Sequence, residues 1–308
     1  MSSSSFITTD IEHAAHVLNT GGVIGMPTET VYGLAARADL EESVGRIFDI
    51  KGRPRNHPLI AHLSPDAPAS RWGHFNKNAE TLAAAFWPGP ITLLVPRSER
   101  IGLWVTGGRE NVALRVPSLE VTQQLLRMVE DAVVAPSANL FGKVSPTTAQ
   151  HVLSDLGTTV DCILDGGPSS VGVESTIVEC VGDSISILRP GGISAQQIAD
   201  ATGLQLNVSA GESRAPGMML SHYAPEATLI LVDSVDQAMT IAAEKQLSQN
   251  EWAMLHYEDA NEYALKMYDQ LRQYDAVGIS LVIATLPSAR GIGEAVRDRL
   301  QKAAAPKS

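Results

Sequence analysis

Apolar positions recur along the 308-residue chain in two registers. Some form short continuous runs of strand length. Others return every three or four residues. The runs "VIGMPT", "PLIAHL", "ITLLVP", "VALRVP" and "AVVAPS" predict buried strands. Helical spacing begins with "DIEHAAHVLNTGG", where Asp10 or Thr9 can cap and Gly21 can terminate. In "LEESVGRIFDIKG" the apolar residues Leu40, Val44, Ile47 and Phe48 fall on one helical face. "TTAQHVLSDLG" predicts a further helix, and "STIVECVGDSISILRP" a hairpin turning at Gly182–Asp183. Strands interleaved with helices predict an α/β fold.

The pattern lapses after Gly203. Residues 204–226 contain small residues, two prolines and two glycines, and read as a linker. Periodicity resumes with strand "TLILV", a helix near 234–246, strand "WAMLH", a helix near 259–273, strand "AVGISLVI" and a last helix near 290–304. That alternation predicts a small parallel sheet. Its first strand runs into "LVDSVDQA" rather than GxGxxG, so it carries no dinucleotide fingerprint. The predicted division is a first domain over 1–203, a linker over 204–226 and a second domain over 227–308.

Composition narrows the function classes. An apolar content of 44% supports real cores. A net charge of -11 argues against an extended nucleic-acid surface, because phosphate binding needs a basic face. It leaves room for one small basic pocket. Cys162 and Cys180 have no CxxC spacing, which predicts reduced, buried thiols rather than a metal site. The N-terminal "MSSSSFITTD" has neither the basic start nor the apolar core of a signal peptide. No run is long enough to span a bilayer. The expectation is a soluble, cytoplasmic protein with no membrane partner and no stable nucleic-acid partner.

Against the acidic background, cations gather at strand ends and turns. "KGRPRNHPLIAH" brings together Lys51, Arg53, Arg55, His57 and His62. Arg115 sits inside the otherwise apolar "VALRVP", and Arg189 ends the hairpin in "ILRPGG". A buried arginine needs an anionic partner. For Arg115 this is either an ion pair with Glu29 or Glu174, or a ligand carboxylate or phosphate held by the planar fork. "APSAN" places Ala135, Ser137 and Asn139 at a strand end, where α/β proteins bind ligands. In "SPTTA", Ser145 is expected to cap a helix with Pro146 at its first position. A helix start also suits phosphate. "PTETVYGL" and "GVESTIV" add Thr28, Glu29, Thr30, Tyr32, Glu174, Ser175 and Thr176. GxSxG, GxxxxGK[ST] and HExxH are all absent. These residues describe a pocket for a small polar anion, such as a nucleotide with a second small molecule. On residue chemistry alone, an RNA-binding module and a nucleotide sensor stay open beside an enzyme.

Taken in order, "PTETVYGL", "KGRP…HPLIAH", "FWPGPITLL", "VALRVP", "APSAN…SPTTA", "GVESTIV" and "ILRPGGIS" resemble the YrdC-type threonylcarbamoyl-AMP synthases. "SHYAP" and "GIGEAVRDRLQKAA" resemble the longer, two-domain form. The resemblance implies a twisted, mixed and mostly parallel α/β sheet with a concave basic face, followed by a Rossmann-like domain. It implies a nucleotidyltransferase that joins L-threonine, bicarbonate or CO2, and ATP into threonylcarbamoyl-AMP and pyrophosphate. That product would pass to a transferase complex that modifies tRNA next to the anticodon. Carried over residue by residue, Lys51 and Arg53 are the expected catalytic cations. Thr30, His62, Arg115, Ala135 and Ser175 are expected at threonine. Lys51, Arg53, His57, Asn111, Ser137, Asn139, Ser145, Arg189 and Tyr223 are expected at ATP. His57 and Asn111 stand where the family usually has Asn and Thr. Mg²⁺ is expected to arrive with ATP, with no metal ligands supplied by the protein. Tyr223 would let the linker close over the nucleotide.

Overall fold

The computed structural model describes residues 6–203, 206–208, 222–245, 248 and 251–306. Most of the expected linker therefore lies outside the described residues, Ser221 of "SHYAP" included. The first sheet contains β1 (Ile7–Thr8), β2 (Ile24–Met26), β3 (Gly33–Arg37), β4 (Ile60–His62), β5 (Ile91–Pro96), β6 (Asn111–Arg115), β7 (Val133–Val134), β8 (Cys162–Leu164), β9 (Thr176–Glu179), β10 (Ser186–Arg189) and β11 (Asn207–Val208). Their spatial order is β1-β8-β2-β3-β7-β4-β6-β5-β9-β10-β11. The sheet is mixed: β4 and β6 run parallel, for example, while β5 and β6 are antiparallel.

Around it lie α1 (Ile11–Asn19), α2 (Glu41–Lys51), α3 (Lys77–Phe86), α4 (Leu103–Thr106), α5 (Glu120–Met128), α6 (Ala149–Leu156) and α7 (Ala195–Thr202). Asp10 caps α1 by accepting from the His13 amide, as its sequence predicts. α2 ends at Gly52, whose φ of 62° needs glycine's freedom. Side chains that alternate along β3 are buried on both faces. Leu34 and Ala36 join the core with α2 and α3, whereas Ala35 joins the core with α1 and α5.

The second sheet holds β12 (Thr228–Val232), β13 (Trp252–Leu255) and β14 (Leu281–Thr285), all parallel, with β14 in the middle. α8 (Val235–Glu244), α9 (Ala260–Ala276) and α10 (Gly293–Ala304) complete this domain. The small parallel sheet expected from the sequence is thus present, with one correction. The expected strand "AVGISLVI" begins only at Leu281, because α9 continues to Ala276 and turns at Gly278, whose φ is 77°. The core of this domain is not wholly its own. Tyr263, Met267, Tyr268 and Leu271 of α9 and Val296 and Leu300 of α10 pack with Val31, Val144 and Val173 from loops of the first domain.

The expected helix cap at Ser145 is also corrected. α6 starts after Thr148, whose hydroxyl accepts from the His151 amide. Ser145 lies three residues earlier and spends its hydroxyl elsewhere, as described below. Both cysteines are buried thiols whose pKa burial raises, to about 11 for Cys162 and about 12 for Cys180. No described helix is long and apolar enough to cross a membrane.

Candidate active site

Alternation along the central strands sorts their residues onto two faces. Ala61 and Leu114 face the helix-covered core, while Ile60, His62 and Arg115 face a cavity. The parallel register sets His62 directly beside Arg115. Thr28, Thr30 and Gly33 border the same cavity from the loop into β3, and Ala135, Pro136 and Ser137 from the turn after β7. Glu174, Ser175 and Arg189 close it from the β9–β10 side, and Arg53, His222 and Tyr223 from above. Its free volume is about 50 Å³.

Arg115 meets protein groups through all three nitrogens, its Nε donating to the Gly89 carbonyl at 3.4 Å. Its Nη1 donates to Thr30 Oγ1 at 2.9 Å, and its Nη2 lies 2.7 Å from Glu29 Oε1. The ion pair with Glu29 is therefore real, and the guanidinium still lines the cavity. Thr28 and Thr30 share a hydroxyl contact of 2.8 Å. His62 is buried beside Arg115, and burial first and that charge second take its pKa down to about 3. It is a neutral imidazole at physiological pH. Its Nδ1 has no hydrogen-bond partner among the described residues.

On the opposite wall Arg189 reaches back to Ser175, donating to its carbonyl at 2.8 and 3.1 Å and to its hydroxyl at 3.1 Å. The turn that allows this needs Gly191. A Cβ there would lie 2.2 Å from the Thr176 nitrogen and 2.4 Å from the Glu174 oxygen. Ser175 Oγ also contacts Thr92 Oγ1 at 2.7 Å. Arg53 is buried, which lowers its pKa to about 10, and its guanidinium stands 5.7 Å from the centre of the Phe141 ring. Arg53 Nε is buried without a hydrogen-bond partner among the described residues.

Not every expected residue reaches the cavity. Lys51 is buried, and its ammonium donates to the carbonyls of Ser137 and Asn139. Burial first and Arg53 second hold its pKa well below the usual lysine range. Asn139 ties its own loop through Leu140 and Lys143 carbonyls, at 2.8 Å each. His57 packs edge-on against Phe141, 5.6 Å between ring centres. Asn111 starts β6 opposite Pro96. Ser145 donates to Glu174 Oε1 at 2.7 Å, one step behind the wall.

Sequence reading passed over several members of the wall. His222 is one. Burial outweighs the pull of Glu174 and lowers its pKa to about 3. Tyr223 beside it has a φ of 63°, a left-handed backbone that a non-glycine residue rarely adopts. Its ring is held between His222 at 4.2 Å and Tyr268 at 5.9 Å, with the Arg299 guanidinium 5.2 Å away. "SHYAP" carried this signal, and Arg299 lay within the quoted "GIGEAVRDRLQKAA" without being singled out; Tyr268 is an ordinary member of an amphipathic helix. Among the described residues no three His, Cys, Asp or Glu side chains converge as a metal site.

A family model described as telomere recombination, Sua5–YciO–YrdC, matches residues 16–191. The chain belongs to this family. A second model, described as the C-terminal domain of threonylcarbamoyl-AMP synthase, matches residues 193–305, so the chain has the family's two-domain form. A threonylcarbamoyl-AMP synthase of Pyrococcus abyssi is 35% identical over 95% of this chain and 93% of its own. One from Bacillus subtilis is 37% identical over 96% and 92%. The solved structure of P. abyssi Sua5 with L-threonine superposes with a TM-score of 0.89 at 35% identity, covering 96% of this chain and 94% of that one. Family membership and the mixed α/β fold read from the motifs are thereby established, and the chain is an enzyme of the nucleotidyltransferase kind.

Proposed function

We propose that the protein condenses L-threonine, bicarbonate or CO2, and ATP to threonylcarbamoyl-AMP and pyrophosphate, for transfer to tRNA by a separate complex. One observation carries the reading. A single cavity joins a hydroxyl-and-arginine half, Thr30, His62, Arg115 and Ser175, to a cationic half, Arg53 and Arg189, with Ser137 and Tyr223 between them. The first half suits an amino acid with a hydroxyl side chain. The Arg115 fork matches its carboxylate, and neutral His62 offers a polar contact without adding charge. The second half suits phosphates.

In the proposed reaction the neutral amine of threonine captures CO2 as a carbamate and loses a proton. A carbamate oxygen attacks the α-phosphorus, and the bond to pyrophosphate breaks. Charge accumulates on phosphoryl oxygens, so Arg53 and Arg189 stabilise the transition state more than the ground state. Mg²⁺ enters with ATP. Lys51 acts through the carbonyls of Ser137 and Asn139, which it fixes. Nucleotide-sized ligands need roughly 300 Å³ or more, so the cavity of about 50 Å³ has to widen to admit ATP. His222 and Tyr223, next to the interdomain segment, are the wall that moves, and their return excludes water from a hydrolysable product.

The test is mass spectrometry on purified protein with ATP, Mg²⁺, bicarbonate and L-threonine, each omitted in turn. Threonylcarbamoyl-AMP formed only in the full mixture supports the reading. Nucleotide binding with no adduct in the full mixture refutes it.

A further inference from the structure

The wall of the cavity contains one carboxylate, Glu174, in a pocket proposed to receive a polyanion. Left alone, its charge would repel phosphate. Its partners come largely from the other domain. Arg299 of α10 donates from Nε to Glu174 Oε2 at 2.7 Å, and Tyr268 of α9 donates at 3.1 and 3.3 Å. Ser145 adds the bond of 2.7 Å from the first domain. Arg299 is fully buried and does more than pair this charge. Its Nη2 donates to the Pro190 carbonyl at 3.0 Å, and its guanidinium stands over Tyr223 at 5.2 Å. One planar group thus touches the residue before Ser175, the residue after Arg189, and the aromatic wall. Backbone contact reinforces the link. Gly172, with φ of 83°, lets α9 approach so closely that a Cβ would lie 2.2 Å from the Ala264 carbonyl oxygen.

We propose that Arg299, assisted by Tyr268, is a positioning residue for nucleotide binding: it cancels the charge of Glu174 at the pocket wall and fixes Ser175 and Arg189 relative to Tyr223. The second domain therefore supplies part of the electrostatics of a site whose lining belongs mostly to the first. This inference rests on the functional reading above for the identity of the anion.

A charge cycle tests it. Arg299→Met, Glu174→Gln, the double variant and Tyr268→Phe are compared with wild type by calorimetric binding of MgATP and by threonine KM. Arg299→Met takes from Glu174 its directly bonded cation and leaves only the more distant pull of Arg189; it is expected to weaken MgATP roughly 30-fold or more, since one partner of a buried charge pair is lost. Threonine KM is expected to move far less. The double variant is expected to bind MgATP clearly better than Arg299→Met, because the bare carboxylate is gone, yet below Glu174→Gln alone, because the hold on Pro190 and Tyr223 is lost. A double variant as weak as Arg299→Met would show a scaffold role only and overturn the proposal, as would wild-type affinity in Arg299→Met. Should Arg299→Met fail to fold, Tyr268→Phe decides. It removes one hydrogen bond to the carboxylate and is expected to weaken MgATP about tenfold; unchanged affinity overturns the idea. Wild-type protein that binds MgATP yet makes no threonylcarbamoyl-AMP sinks the functional reading alone, because the cycle needs no turnover.

Discussion

Arg115 offers the sharpest separation of substrate binding from stability. Its guanidinium bonds Thr30 at 2.9 Å and lies 2.7 Å from Glu29, with both side chains of the ion pair 4% exposed. Arg115→Ala strands Glu29 in the interior, which is expected to destabilise the fold by about 3–5 kcal/mol. It also removes the fork proposed to hold the threonine carboxylate. Truncating such a partner costs about 2–5 kcal/mol, or roughly 30- to 4,000-fold in threonine KM. The proposed ATP contacts lie at other residues, so its KM is expected to change little. The two losses can be told apart. Glu29→Gln with Arg115→Met removes the pair together and is expected to recover most of the stability, while threonine KM stays raised. The assay is steady-state formation of threonylcarbamoyl-AMP with each substrate varied, alongside urea unfolding. Equal loss of threonine and ATP affinity, or threonine KM restored in the double variant, would refute the assigned role.

Three further outcomes follow from the same geometry. Gly172→Ala forces a Cβ to within 2.2 Å of the Ala264 oxygen at a φ of 83°; it is expected to cost more than the ~1 kcal/mol of an unfavourable backbone alone, and an unchanged melting temperature would contradict the tight interdomain contact. His62 and His222 have folded pKa values near 3 against 6.5 unfolded, so only the unfolded chain binds these protons at intermediate pH. Stability is then expected to fall as pH drops from about 6.5 towards 3. Glu174, depressed from 4.5 to about 2 because Arg299 and Arg189 outweigh its burial, adds a loss across that lower window. Urea midpoints measured from pH 7 to 3 check this, and a flat profile in His222→Phe and wild type alike would refute the histidine contribution. Among analogues, L-serine lacks one methyl and is expected to be rejected by about 1–3 kcal/mol, whereas L-valine leaves the site's polar groups unpaired and is rejected more strongly; kcat/KM ratios in the reverse order would exclude a hydroxyl-reading pocket.

How legible these features were depends on how local their causes are. α1 could be read because its cap, apolar stripe and terminator lie within twelve residues of one another. α2 showed the same pattern. The β9–β10 hairpin was equally plain, with Gly182 at its turn. β3 was missed because Leu34, Ala35 and Ala36 are buried on alternating faces, which removes the period-two contrast. α3 was missed because its alanine-rich sequence buries only Ala79 and Leu82, too thin a stripe to detect. Ser145 looked like a cap by local chemistry, and a partner 29 positions away overruled it. The site divides the same way. Arg115 stood out as a lone charge in an apolar strand, and it both pairs with Glu29 and lines the cavity. Arg299 and Glu174 are 125 positions apart, and nothing near either one announces the other.

The shared core around Val31, Val144 and Val173 has a bearing on synthesis. During translation the first domain emerges and can fold before the second exists. Three of its loops then present apolar side chains to water with their cover still inside the ribosome. α10, which helps cover that surface, also carries Arg299. The first domain can thus hold a formed sheet while the Val31, Val144 and Val173 loops still wait for the apolar cover that α9 and α10 bring.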